Sequence, residues 1–199
     1  MRTLRTRRLV LVPVSEENAA ALWDVLQEPD LRDFQDLPDL DVAQFRRTVA
    51  ARPKVLAPSA IGRFEWLMYF VQPEDRRVES EPLGWVSLRI AERTPTTAEI
   101  GYSVVAAYRG RGIATEAVAT LVGEGFARAK LQLVRAYCVP ENVASRSVLR
   151  RVGFRDEGTV RHGASVQGQA VDVVAHRIDR AVWESAKATL TSNRPAIRL

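Results

Sequence analysis

A single mixed α/β domain, with a central sheet and helices on both of its faces, is the fold class predicted for this sequence. Three observations carry the prediction. Strand-like runs dominate the segment from Phe64 to Val105 and are separated by proline-bearing loops. At Ala114 the apolar period changes to that of a helix. Beyond it, a short apolar strand, a capped helix and a hairpin pattern follow in order. The length of 199 residues suits one compact domain, expected over 1–185, with 186–199 as a C-terminal tail that frays.

Thr6 to Val14 is rich in aliphatic and β-branched residues and reads as a first strand. Ser15 reads as the cap of an amphipathic helix that uses Ala19, Leu22, Trp23, Val25 and Leu26 and stops before Pro29. A weaker helix is expected over Val42–Arg52. Between them lies a polar, turn-rich stretch with Asp30, Asp33, Asp36, Asp39 and Asp41. Phe64–Val71, Leu83–Ile90 and Ala98–Val105 are then three strands of an antiparallel meander. Ala117, Val118, Leu121, Val122, Phe126 and Ala129 recur at helical spacing and give a long helix with one buried face. Leu133–Val139 is the nearly continuous apolar run of a central strand. Asn142–Val152 reads as a helix with Gly153 as its stop. Phe154–Arg161 and Val171–Ile178 read as a hairpin around Gly163–Gly168.

Composition narrows the function. The 29 basic residues, 26 of them Arg, outnumber the 24 acidic ones for a net charge of +5, but they are scattered rather than gathered into a nucleic-acid-binding tract. A nucleic-acid-binding module therefore rests on a pI near 9.9 alone. No apolar run reaches membrane-spanning length and no signal-peptide core precedes the first strand, so a cytoplasmic location is expected. Cys138 is the only cysteine and His162 and His176 the only histidines, which excludes an intramolecular disulfide and argues against a protein zinc site. Cys138 reads as a small core residue, and neither histidine reads as catalytic.

The most informative stretch is Tyr108-Arg109-Gly110-Arg111-Gly112-Ile113-Ala114-Thr115-Glu116-Ala117, where a strand ends and the long helix begins. Glycines allow a tight turn there, and successive N–H groups with the helix dipole form a nest for phosphate, to which the arginines add charge. It is neither a Walker loop, which needs Gly-Lys-Ser/Thr, nor a dinucleotide fingerprint, which needs a Gly where Thr115 stands. On these residues alone, a structural turn with solvated arginines remains open.

Taken with Glu99-Ile100-Gly101-Tyr102, Asn142-x-x-Ser145, Gly153-Phe154, Thr6-x-Arg8-Leu9, Asp172-Val173-Val174 and Trp183, the order of motifs resembles the GCN5-related N-acetyltransferases (GNAT) over nearly the whole chain. The similarity is greatest to the branch named for ribosomal-protein N-terminal acetyltransferases of RimJ/RimL type. The resemblance implies a mostly antiparallel mixed sheet splayed between two strands, and acetyl-CoA as cosubstrate. By the same resemblance, Arg109, Gly110, Arg111, Gly112, Ile113, Ala114 and Thr115 would hold the pyrophosphate, and a strand ending at Val104 and Val105 would flank the pantetheine and supply an N–H to the thioester carbonyl.

Asn142 would face the cofactor arm, with a plain helix cap as the alternative reading. Glu99 would serve as base through a water, or be a solvent-facing strand residue. Leu149 stands where many relatives carry an acidic Tyr, so Ser145 is the expected proton donor to the thiolate, against a small residue packed near CoA. The acceptor would be a primary amine, with the acidic stretch either concentrating cationic amines or forming a solvated loop. Many relatives pair as homodimers. The alternative function is a non-catalytic acyl-CoA-binding regulator of the same fold.

Overall fold

The computed structural model describes residues 1–34, 36, 40–71 and 81–185. The expected tail over 186–199, together with Asp39, lies outside the described residues. One eight-stranded sheet organises the chain in the order β1-β2-β3-β4-β5-β6-β8-β7. The strands are β1 (Leu4–Arg5), β2 (Leu9–Pro13), β3 (Gly62–Phe70), β4 (Gly84–Ile90), β5 (Thr97–Val104), β6 (Leu133–Cys138), β7 (Arg155–Val166) and β8 (Gln169–Asp179). All neighbours pair antiparallel except β5 and β6. The helices are α1 (Ala19–Leu26), α2 (Val42–Ala50), α3 (Ile113–Arg128) and α4 (Val143–Val152), with a further helical segment, α5, over 180–185.

Alternation along the strands divides the core between the two faces of the sheet. Leu67, Tyr69 and Trp85 pack under α1 and α2 with Leu22, Val25, Phe45 and Val49. On the opposite face, Val86, Leu88, Ile90, Ala98 and Ile100 pack against Ile113, Ala117, Leu121 and Val122 of α3 and Leu149 of α4. The α3 stripe is the one the 3.6-residue period predicts. Trp183 of α5 lies over Gly123, where a Cβ would meet its ring at 3.4 Å.

Several boundaries and caps depart from the sequence reading or add to it for identifiable reasons. Asn18, not Ser15, is the N-cap of α1; its Oδ1 accepts from Ser15 N at 2.8 Å and its Nδ2 donates to Pro13 O at 3.0 Å. Asp41 caps α2 in a reciprocal pair with Gln44. Pro29–Asp33, read as a turn-rich stretch, forms a 3-10 helix with Pro29 at its start. The β7–β8 hairpin is longer than expected, and its turn is only Gln167-Gly168, at φ 51° and 74°. That is the twist a two-residue hairpin demands, carried here by a Gln rather than the usual Asn or Asp.

Candidate active site

The parallel ladder between β5 and β6 stops after Thr97↔Leu133, Ala98↔Val134 and Glu99↔Arg135. Beyond it the strands diverge, and a cavity of about 640 Å³ opens between Ile100–Val104 on one side and Ala136–Val139 on the other. The turn over 108–115 closes one end, and the start of α4 forms a wall.

Ladder parity decides which backbone groups face that gap. Val105 N donates to Leu83 O at 2.9 Å, and in an antiparallel pair the bonded positions alternate, so the N–H groups of Ser103 and Gly101 also turn toward β4. Tyr102 and Val104 are the alternate positions, and theirs turn toward β6. Of the two residues at the expected strand end, Val105 has its N–H already used, and Val104 presents the open one. Arg109 takes up the Val104 carbonyl through Nε at 2.7 Å.

At the turn, Gly112 is the N-cap of α3 in the left-handed region, at φ 75°, a conformation that favours glycine. It has no side chain to cap the helix. The first helical bond runs from Glu116 N to Gly112 O at 3.1 Å, which leaves the N–H groups of Ile113, Ala114 and Thr115 without helical acceptors beside the cleft. Gly110, at φ 74°, has open space around it. A turn of this shape, at the positive end of a sixteen-residue helix, can take an anion on its amides. The arginines do not aim there as expected. The Arg109 guanidinium forms a two-point ion pair with Asp30, one arm being Nη2 to Oδ1 at 3.0 Å, and Arg111 lies over the Tyr108 ring at 5.7 Å.

Asn142 and Ser145 meet at the start of α4. Asn142 Oδ1 accepts from Ser145 N at 2.9 Å, capping the helix; the same residue lines the cleft, so capping and ligand contact are compatible. Ser145 Oγ lies 2.9 Å from the Tyr102 hydroxyl, which also reaches Ser145 O at 3.1 Å. Tyr102 stands in a recognisable motif, yet sequence alone assigns it no role, since in an alternating strand a Tyr reads as core. Burial pushes its phenol well above the ordinary range, although the bond with Ser145 opposes this. It therefore stays a neutral hydroxyl. Cys138 shares the Ser145 hydroxyl, and burial raises its thiol, which keeps it a poor nucleophile. Leu149 is fully buried in the core.

Glu99 stands apart. It does not line the cleft, its carboxylate is paired with Arg89, and it sits on the opposite face of β5 from Tyr102, about 10 Å along the strand. The expectation of a base acting through water has no supporting geometry.

The acidic stretch is also spent largely on structure. Asp30 holds Arg109, Asp36 accepts from Gly168 N at 3.3 Å, and Asp41 caps α2. Glu28 adds a bond from Ala106 N at 3.2 Å. The segment around the 3-10 helix is thus tied to the anion turn at one end and to the β7–β8 turn at the other. No helix among the described residues is long and apolar enough to cross a membrane.

An extended chain laid along the β5–β6 gap would find inward-facing backbone donors, and a diphosphate at its end would find the α3 terminus, so the residues present fit CoA. The family model for the acetyltransferase (GNAT) domain matches residues 8–155. The chain is 28% identical over 174 residues to the uncharacterized N-acetyltransferase p20 of Bacillus licheniformis, spanning 87% of this chain and 93% of that protein. RimL, a ribosomal L7/L12 alpha-N-protein acetyltransferase solved with coenzyme A, shares the fold with a TM-score of 0.74 at 21% identity, over 89% of this chain and 98% of that one. The ribosomal-protein-S5-alanine acetyltransferase from Vibrio fischeri does so with a TM-score of 0.75 at 17% identity, over 92% and 99%. With the split sheet, the anion turn and the family match together, the chain belongs to the acetyltransferase (GNAT) family and is an acetyl-CoA-dependent N-acetyltransferase.

Proposed function

We propose that this protein acetylates a primary amine, at a protein N-terminus or on a small molecule, by direct attack on acetyl-CoA in a ternary complex. The observation that carries the reading is the interrupted β5–β6 ladder, with its open N–H groups leading to the uncapped start of α3. Acetyl-CoA supplies the activated acetyl group; the protein's part is to align it and to stabilise charge.

In this reading Val104 N–H polarises the thioester carbonyl, an interaction worth roughly 3 kcal/mol of barrier. Gly110 to Thr115 hold the diphosphate through backbone amides, and Asn142 contacts the carrier arm. Ser145, hydrogen-bonded to Tyr102, gives its proton to the departing thiolate and takes up the proton that the attacking nitrogen loses as the amide forms. An α-amine with a pKa of roughly 8 is partly neutral at cell pH, so a positioned base adds little. That agrees with Glu99 lying outside the cleft. The acceptor passes between Phe34 and Tyr137, each 38% exposed at the cavity rim. The names of the two solved relatives, which act on ribosomal proteins, favour a peptide N-terminus as that acceptor.

The test combines binding with turnover. Acetyl-CoA should raise the melting temperature of the purified protein, and peptides with free N-termini should release thiol. Protection without thiol release from any amine would identify a regulator instead. No protection at saturating acetyl-CoA would reject the cleft as a cofactor site.

A further inference from the structure

We propose that Arg8, which lies outside the cleft just before β2, is a positioning residue that sets the diphosphate-binding turn from behind. The inference rests on the reading of that turn given above and names a residue the reading does not use. Arg8 Nη1 donates to the Arg111 carbonyl at 2.9 Å, across 103 positions of sequence. In a trans peptide the carbonyl and the following N–H point in opposite directions. Holding the Arg111 carbonyl on the Arg8 side therefore turns the Gly112 N–H to the other side, where Gly110, Gly112 and Ile113 line the cavity and Arg8 does not. A Cβ at Gly112 would meet Arg8 Nη2 at 3.4 Å, which shows how closely the guanidinium backs the turn.

Arg8 is itself held from two sides. Its Nε bonds Glu116 Oε2 at 2.7 Å, and its backbone N reaches Glu116 Oε1 at 3.2 Å. Thr6 Oγ1 donates to the same Oε1 and accepts from Leu9 N at 2.8 Å. The Thr6-x-Arg8-Leu9 pattern and Glu116 thus form one clasp. Glu116 lies in the first turn of α3, where a carboxylate favours the free helix but competes with a bound anion for the same positive end. Pairing with Arg8 neutralises that competitor while the guanidinium supports the loop.

Donors that differ only in the diphosphate-bearing part separate positioning from general structural damage. Wild-type protein and Arg8→Gln are compared with acetyl-CoA and with S-acetylpantetheine, which carries the thioester and arm without phosphate. Arg8→Gln should lower kcat/KM for acetyl-CoA tenfold or more, mainly through KM, and change it less than twofold for S-acetylpantetheine. A parallel loss with both donors, or no loss with acetyl-CoA, overturns the proposal. Should Arg8→Gln not fold, Arg8→Lys carries the same comparison, because Lys can keep the charge pair with Glu116 and loses the second donor to the carbonyl. Should the short donor turn over too slowly, calorimetry with CoA decides: tenfold weaker binding supports the clasp, and binding within twofold overturns it. A wild-type protein that binds no CoA would instead reject the reading of the cleft on which this inference stands.

Discussion

Removing the Ser145 hydroxyl and the Tyr102 hydroxyl, singly and together, tests whether the two act as one proton-donating unit. Tyr102→Phe deletes the contacts at 2.9 and 3.1 Å. At about 1 kcal/mol per neutral hydrogen bond, this costs about 1–2 kcal/mol of stability, or about 2–8 °C for a chain of this size. The catalytic effect is set by the leaving group. A thiol with a pKa of roughly 8.5 departs as thiolate near pH 7.5 only about one pH unit against its equilibrium, so a proton donor is worth about 1.4 kcal/mol, or about tenfold in rate. Ser145→Ala should therefore lower kcat about tenfold with little change in KM for acetyl-CoA, measured by continuous thiol release. Tyr102→Phe should lower it less, because Ser145 keeps its own proton. If the hydroxyls form a relay, the double variant matches Ser145→Ala alone, as groups acting in one step are non-additive. Strictly multiplicative losses, or an unchanged kcat in Ser145→Ala, would refute the relay.

Three further perturbations probe other parts of the site. Gly112→Val places a branched side chain at φ 75°, costing about 1–2 kcal/mol or more in backbone strain; it should also abolish the protection that acetyl-CoA at about one hundred times its Kd gives the wild type, about 2.7 kcal/mol or about 5–10 °C. Full protection in the variant, read by thermal denaturation, would place the diphosphate elsewhere. Glu99→Gln removes an exposed ion pair worth at most about 1 kcal/mol, and kcat should stay within about twofold across pH; loss of the acid limb of the pH–rate profile would reinstate Glu99 as a base. Burial pulls the Glu116 pKa up, but hydrogen bonds from Thr6 and Arg8 outweigh it and hold the carboxyl below its ordinary value. The stability this contributes is complete above roughly pH 4.3 and is lost as pH falls through the lower folded value. Melting temperatures between about pH 3 and 6 should then fall more steeply in the wild type than in Glu116→Gln; parallel curves would show that the clasp does not depend on the charge of Glu116.

What is legible in the sequence is mainly local. The α3 stripe, the Gly153 stop at φ 105° and the glycines of the anion turn all signal through neighbouring residues, because helix period and left-handed φ are properties of a few consecutive positions. The features that escape it depend on contacts distant in sequence. Asp30 and Arg109 are 79 residues apart, so nothing near Arg109 indicates that its guanidinium is engaged. Val104 rather than Val105 faces the gap because of the pairing of Leu83 with Val105, and a shift of one residue reverses every such assignment. The strand that carries Glu99 is evident from its pattern, but the face Glu99 occupies and its pairing with Arg89 follow from register. Tyr102 becomes a site residue only once α4 brings Ser145 over it.

The early end of the β5–β6 ladder has a consequence for the lifetime of the protein. A strand rim inside a molecule carries the same hazard as one on its outside, because its donors and acceptors can recruit a foreign segment. A ligand that docks along this rim blocks such recruitment and, by mass action, lowers the population of opened molecules. Survival of the protein against proteolysis and aggregation should then rise with the concentration of CoA in the assay.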